Sequence, residues 1–230
     1  MLSSDFAESS SCPSSKSSVA EAVLPAYTYD DSDEETDEGH YVKPKPEEGR
    51  KKEADNLQAF SYRTIRVVDT AYSTYLAVLL WITTRHISFA PLRSTFFAPV
   101  GPLFSSNRAA VIVKLKLGQT SGLPIPVSPK SVYRLAHLLE LSGLSTLALS
   151  KFGEQLAPAG AVFELYTDAS CAYPAIQAVA LEYVVENWGT VKGSVGMKMV
   201  EQKIERGETS GEMALIGIRL AKKLMERYHK

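Results

Sequence analysis

The stretch SPKSVYRLAHLLELSGLSTLAL (residues 128–149) has the pattern of two consecutive helices. Ser128 can accept a hydrogen bond from a free backbone N–H, and Pro129 suits the first helical position, so a helix is predicted to begin there. Apolar residues recur at three- and four-residue steps up to Leu139, which predicts one buried face. Gly143 interrupts the pattern, and a second helix with a buried stripe is predicted to follow.

The residues before this pair predict a small sheet packed against a helix. YRTIRVVD (62–69) alternates apolar and polar side chains, which is typical of a half-buried strand. Residues 71–84 form a predicted helix, capped by Asp69 or Thr70. Its expected buried face consists of Tyr72, Tyr75, Leu76, Leu79 and Leu80. ISFAPL (87–92) is predicted to be a short strand or extended segment, and the fold class is therefore predicted to be α+β.

Composition shifts divide the rest of the chain. Residues 9–58 combine Ser, Pro, Glu and Lys with few apolar residues, which predicts a disordered acidic insert. Residues 59–156 are the expected folded core, with a loop at 93–127. Within that loop, RAAVIVKLKL (108–117) fits either an extra strand or a short amphipathic element, and it is a candidate partner-binding surface. Residues 157–230 predict a helical extension.

Charge is unevenly distributed along the chain. Residues 1–58 hold 14 acidic and 6 basic residues, leaving 12 acidic and 19 basic in residues 59–230 of the totals of 26 and 25. The basic residues are scattered rather than clustered, which argues against nucleic-acid binding. The longest apolar run, LAVLLWI (76–82), is too short for a membrane span. Neither of the two cysteines lies in a CxxC pair, and no signal peptide is visible. We therefore expect the protein in a reducing compartment, the cytoplasm or the nucleus.

The sequence contains none of the usual catalytic or cofactor-binding motifs. There is no GxSxG, HExxH, P-loop or GxGxxG pattern, and the four histidines lack ligand spacing. We therefore expect no enzyme activity, no cofactor and no metal site. One modification site stands out, because Ser32 is followed by three acidic residues, which suits an acidophilic kinase.

Three stretches together resemble a BTB/POZ domain of the fungal type, which carries a C-terminal helical extension. They are TIRVVDTAYSTYLAVLLWITTRHISFAPLRS (64–94), residues 128–149 quoted above, and FELYTDASCAYPAIQAVALEYVVENW (163–188). The three stretches hold 79 residues, about a third of the chain, and the resemblance implies a small sheet with packed helices. The chain departs from the pattern at Arg85 and Glu140, where relatives favour glycine, and at His137, where they favour aspartate.

The first residues also fit this resemblance. MLSSDFAES (1–9) is similar to the end of the third helix of the BTB fold, so residues 1–8 are expected to be a remnant of that helix. By this resemblance, the preceding strands and helices, including the segment that relatives use to form homodimers, are expected to be missing, through a gene model that starts at an internal methionine or through degeneration of the fold, which leaves homodimerisation open. Phe6 and Glu8 match the family's cullin-contact pattern, in which an aromatic anchor fills a pocket and a carboxylate bonds at the rim.

The resemblance implies a non-catalytic protein–protein interaction module. One hypothesis is a substrate adaptor for a cullin-based ubiquitin ligase, with a cullin and an unknown substrate as partners. The alternative is a BTB-derived scaffold or transcription-associated protein that acts without a cullin. A contact surface around Arg108 to Lys116 would favour the alternative.

Overall fold

The computed structural model describes residues 33, 36–37, 70–97, 107–119 and 122–229. Its longer helices are α1 (Tyr72–Thr84), α2 (Asn107–Leu117), α3 (Pro129–Leu138), α4 (Ser142–Glu154), α7 (Pro174–Glu186), α9 (Val195–Glu205) and α10 (Gly211–Tyr228). Shorter helices are α5 (Ala161–Leu165), α6 (Asp168–Ala172) and α8 (Trp188–Val191), and a 3-10 turn spans Arg93–Phe96.

The prediction of an α+β fold with a small sheet is wrong for the described part of the chain. There, 72% of residues are helical and no strand is present. The predicted strand at 62–69 lies outside the described residues. Residues 87–92 are extended, but they form only an isolated parallel bridge that pairs Phe89 with Val127.

The backbone groups next to this bridge are bonded elsewhere, so it does not grow into a ladder. The bridge holds two backbone hydrogen bonds, from the Ala90 N–H to the Val127 carbonyl at 2.8 Å and from the Val127 N–H to the Ser88 carbonyl at 3.1 Å. The next donor toward the Ala90 carbonyl would be residue 129, which is a proline and has no N–H. The Gln155 amide donates to the Ala90 carbonyl at 3.1 Å instead, and its oxygen accepts from the Leu92 N–H at 2.9 Å.

Residues 107–117 are helical, which decides between the two structures left open by the sequence. Their alternating run of valine, isoleucine, leucine and lysine resembles a strand, but no strand is available among the described residues to pair with it. Of the side chains described in this helix, only Ile112 is fully buried, whereas Val113, Leu115 and Leu117 are exposed. The helix is therefore attached to the body along one narrow side.

The helix pair predicted for residues 128–149 is confirmed. The Ser128 hydroxyl accepts a hydrogen bond from the Lys130 N–H at 3.3 Å, and Pro129 opens α3. The turn between α3 and α4 places Glu140 at a φ of 57°, and α1 ends on Arg85 at a φ of 62°. Both values lie in the left-handed region that favours glycine. They fall at the two positions where the resemblance expects glycine.

Helix α7 lies at the centre of the helical body. Helices α4, α5, α6 and α10 all contact it, while α9 packs on α5 and α1 packs on α3. Ile176, Ala180 and Val184 on α7 are almost fully buried. They belong to one continuous hydrophobic cluster that runs from Val78 on α1 to Leu220 on α10. The cluster holds α1, α3 and α4 in fixed positions relative to the helices that follow.

The buried face of α1 differs from the one that the sequence predicts. Tyr72 and Leu79 are 56% and 44% exposed, whereas Ser73 and Thr74 are fully buried. Polar side chains near the beginning of this helix are therefore turned inward, and they require hydrogen-bonding partners there.

Candidate site for binding acidic segments

The site residues predicted from sequence, Phe6, Glu8 and Ser32, all lie outside the described residues. The neighbour of Ser32 is described, however. Asp33 and Asp37, both inside the predicted acidic insert, contact the helical body. Their backbones are joined by a hydrogen bond from the Asp37 N–H to the Asp33 carbonyl at 2.9 Å, which is one helical turn. This turn carries two carboxylates to the same surface.

Asp37 caps the beginning of α1. The N-cap residue of this helix, Ala71, has no side chain that can accept a hydrogen bond. The Ser73 N–H, one of the free donors of the first turn, instead donates to Asp37 Oδ2 at 3.1 Å. A carboxylate that is 36 residues earlier in the chain thus does the work that Asp69 or Thr70 was predicted to do.

Asp33 is held by two elements at once. The Thr74 hydroxyl of α1 donates to Asp33 Oδ2 at 2.6 Å. The Ser128 N–H, at the N-cap of α3, donates to both carboxylate oxygens at 3.0 and 3.1 Å. Only 2% of Asp33 remains exposed. A buried carboxylate requires such charge-assisted hydrogen bonds to offset the loss of its hydration.

Arg108, in the first turn of α2, provides the positive charge. Its Nη2 lies 3.6 Å from Asp33 Oδ1, and its side chain is 14% exposed. Its Nε donates to the Pro91 carbonyl at 3.0 Å, which fixes the guanidinium next to the extended segment before the 3-10 turn. We call the surface formed by Ser73, Thr74, Arg108 and Ser128 the aspartate cleft.

The electrostatics of the aspartate cleft favour anions. The N-terminus of a helix carries roughly half a positive elementary charge, and two of them, those of α1 and α3, meet at Asp33. Backbone N–H groups at such positions bind carboxylates and phosphates readily. The guanidinium of Arg108 adds a full charge at 3.6 Å. The arrangement can therefore bind a negatively charged group with little exposure to solvent.

Two other side chains with reactive chemistry, His137 and Cys171, pack against neighbouring residues. His137 stacks on Tyr133, with ring centroids 6.0 Å apart, and meets the edge of Tyr173 at 5.6 Å. Burial raises the pKa of Tyr133, and the nearby Tyr173 raises it further. Burial also raises the pKa of the Cys171 thiol, with smaller contributions from Asp168 and Glu212. This cysteine is accordingly a poor nucleophile near neutral pH.

Sequence reasoning missed the aspartate cleft, although two signals pointed toward it. The first is the spacing of Asp33 and Asp37, four residues apart, which places both carboxylates on one side of a helical turn. The second is Ala71 directly before α1, which leaves the beginning of that helix without a local cap. Neither signal identifies the partner, because Ser128 is 95 residues away from Asp33.

Within the described ranges, no helix combines the length and the apolar character needed to cross a membrane. The same residues contain no group of three or more His, Cys, Asp or Glu side chains placed to hold a metal ion. The chain matches no protein-family profile, no curated protein and no solved structure.

Proposed function

We propose that this chain is a non-catalytic protein–protein interaction module whose aspartate cleft binds acidic polypeptide segments without a cullin. The proposal is carried by one observation, the capture of Asp33 and Asp37 by groups that lie 36 to 95 residues away. Backbone N–H groups, a hydroxyl and a guanidinium all face the two carboxylates. Such donors recognise negative charge carried by a peptide at a defined spacing.

The chain's own acidic turn is the occupant of the cleft in this proposal. Because it is tethered, its effective concentration at the cleft is on the order of millimolar, and an acidic segment of another protein must compete with it. Release of the turn exposes the cleft to such a partner. The module is then regulated by whatever displaces Asp33 and Asp37.

The proposal predicts that a chain with Asp33→Asn and Asp37→Asn binds the free peptide TYDDSDEETDEGH (residues 28–40) saturably. We expect its Kd, measured by fluorescence anisotropy, to be at least about tenfold lower than that of the unchanged chain, whose cleft is occupied. A peptide with asparagine at positions 33 and 37 should bind at least about tenfold more weakly, because each lost charge-assisted hydrogen bond contributes about 1.5–3 kcal/mol.

The matched control for this experiment is the double change Glu182→Gln and Glu186→Gln. These carboxylates are also one turn apart, but they lie exposed on α7. Replacing them removes the same amount of negative charge as the two aspartate substitutions do. The control chain should bind the peptide no better than the unchanged chain. A cooperatively unfolding Asp33→Asn, Asp37→Asn chain that does not bind the acidic peptide would refute the proposed function.

The cullin-adaptor hypothesis is a second proposal, and it is supported only by the resemblance at Phe6 and Glu8. Its test is independent of the aspartate cleft. In calorimetric titrations with the amino-terminal domain of a cullin, we expect saturable binding that Glu8→Arg abolishes through charge reversal at the contact. Equal binding by the Glu8→Arg chain, or no binding by a folded unchanged chain, contradicts it.

A further inference from the structure

The two aspartates leave two donors of the aspartate cleft unused, and one acceptor, Asp37 Oδ1, is also buried without a hydrogen-bond partner among the described residues. Arg108 Nη2 is 3.6 Å from Asp33 Oδ1, too far for a hydrogen bond, and this buried nitrogen donates no hydrogen bond to the described residues. Arginine normally binds an anion through two parallel hydrogen bonds. Here the guanidinium faces the correct charge, but the carboxylate is too short to reach it.

A second donor of the cleft is also unused. The Ser73 hydroxyl is fully buried and has no hydrogen-bond partner among the described residues. It belongs to the same first turn of α1 as the Ser73 N–H and the Thr74 hydroxyl, which bind Asp37 and Asp33. Buried polar groups without partners cost about 1–3 kcal/mol each, so two of them at one anion site indicate a larger natural ligand.

A phosphate group has the properties that the cleft requires. It carries about 1.5 to 2 negative charges at neutral pH and three terminal oxygens, against one charge and two oxygens for aspartate. On a serine or threonine it also extends farther from the backbone than a carboxylate does. It is therefore long enough to bond Arg108 Nη2 while it keeps the bonds to Thr74 and the Ser128 N–H, at a place where two helix N-termini favour phosphate.

The geometry points to a phosphorylated serine or threonine within an acidic segment of a partner protein as the preferred ligand of the aspartate cleft, with Asp33 as its intramolecular stand-in. This inference rests on the proposed function, because it names the ligand class for the same cleft. Ser32, followed by three acidic residues, shows that the chain's own insert has the kind of sequence that an acidophilic kinase modifies.

The test compares two peptides on the Asp33→Asn, Asp37→Asn chain. One is the peptide of residues 28–40, and the other carries the single change Asp33→phosphoserine. We expect the phosphopeptide to bind about tenfold more tightly by anisotropy, through the added charge and the hydrogen bond to Arg108. Arg108→Gln should reduce this ratio to near one. Equal or weaker binding of the phosphopeptide overturns the inference but leaves the proposed function standing if the acidic peptide still binds.

Two further measurements separate the alternatives. Inorganic phosphate at the phosphopeptide's concentration should displace less than a tenth of the bound peptide, and equal displacement would identify a small-anion site and overturn the inference. In the unchanged chain, which avoids any folding defect of the variants, excess phosphopeptide should shift the amide resonances of Ser73 and Ser128. Unshifted resonances at a concentration that saturates the variant also contradict the inference.

Discussion

Replacing Lys130 with methionine is expected to lower the free energy of unfolding by about 3–5 kcal/mol. Lys130 Nζ lies 2.8 Å from Glu164 Oε2, and the two side chains are 1% and 0% exposed. This ion pair joins the first turn of α3 to the short helix α5. Lys130→Met removes the cation that neutralises Glu164 and leaves a buried carboxylate. Chemical denaturation monitored by circular dichroism measures the loss.

Two comparisons isolate the cause of that loss. Lys151→Met removes an exposed pair with Glu154 at 2.6 Å, and we expect a much smaller change because solvent screens it. Adding Glu164→Leu to Lys130→Met should recover most of the stability, since the buried carboxylate is removed with its partner. If Lys130→Met costs no more than Lys151→Met, the buried pair does not stabilise the fold more than a solvated pair does.

Local rules predicted the parts of the fold that depend on neighbouring residues. Ser128 and Pro129 mark the beginning of α3 because a cap and a fixed φ act within one turn. Residues 87–92 form an extended segment rather than a strand, because the Gln155 amide bonds the Ala90 carbonyl and the Leu92 N–H, and sequence alone does not show that Gln155 lies there. Pairing partners that are distant in sequence decide whether an extended segment becomes a sheet.

The buried face of α1 failed for the same reason. Apolar periodicity favoured Tyr72 and Leu79, but the helix turns Ser73 and Thr74 inward because the aspartates of the insert meet them there. The insert, expected to be disordered from its composition, contributes these two contacts. The composition of a segment indicates whether that segment can form its own core. It does not indicate whether a polar cleft elsewhere in the chain binds one turn of the segment.

Sequence reasoning also did not identify the buried ion pair of Lys130. A lysine in the first turn of a helix is usually solvated, and a helix N-terminus disfavours its charge. The buried Glu164 on α5, 34 residues later, pairs with Lys130 and helps make the position favourable. Ser128 of the aspartate cleft and Lys130 of this ion pair both lie at the beginning of α3, so we expect the stability of α3 and the shape of the cleft to depend on each other.

A second large effect is expected at Gly160, which precedes α5. A Cβ atom there would lie 2.5 Å from the Cβ of Ser94 and 2.8 Å from the Ser94 carbonyl oxygen, closer than such atoms can approach. Gly160→Ala must therefore push the 3-10 turn away from α5. We expect a loss of about 1–3 kcal/mol in the free energy of unfolding, typical of forced overpacking, measured by the same denaturation experiment.

The control is Gly189→Ala in α8, where an added Cβ meets no atom within 4 Å. Glycine to alanine in an unhindered helix reduces the entropy of the unfolded chain, so this variant should be unchanged or more stable by up to about 1 kcal/mol. Combining Gly160→Ala with Ser94→Gly removes the side-chain contacts but keeps the carbonyl contact, and it should recover only part of the loss. A Gly160→Ala chain as stable as Gly189→Ala would show that the 3-10 turn moves freely. The position of the 3-10 turn would then not depend on α5. The position of Pro91 just before it, whose carbonyl accepts a hydrogen bond from Arg108 in the aspartate cleft, would not depend on α5 either.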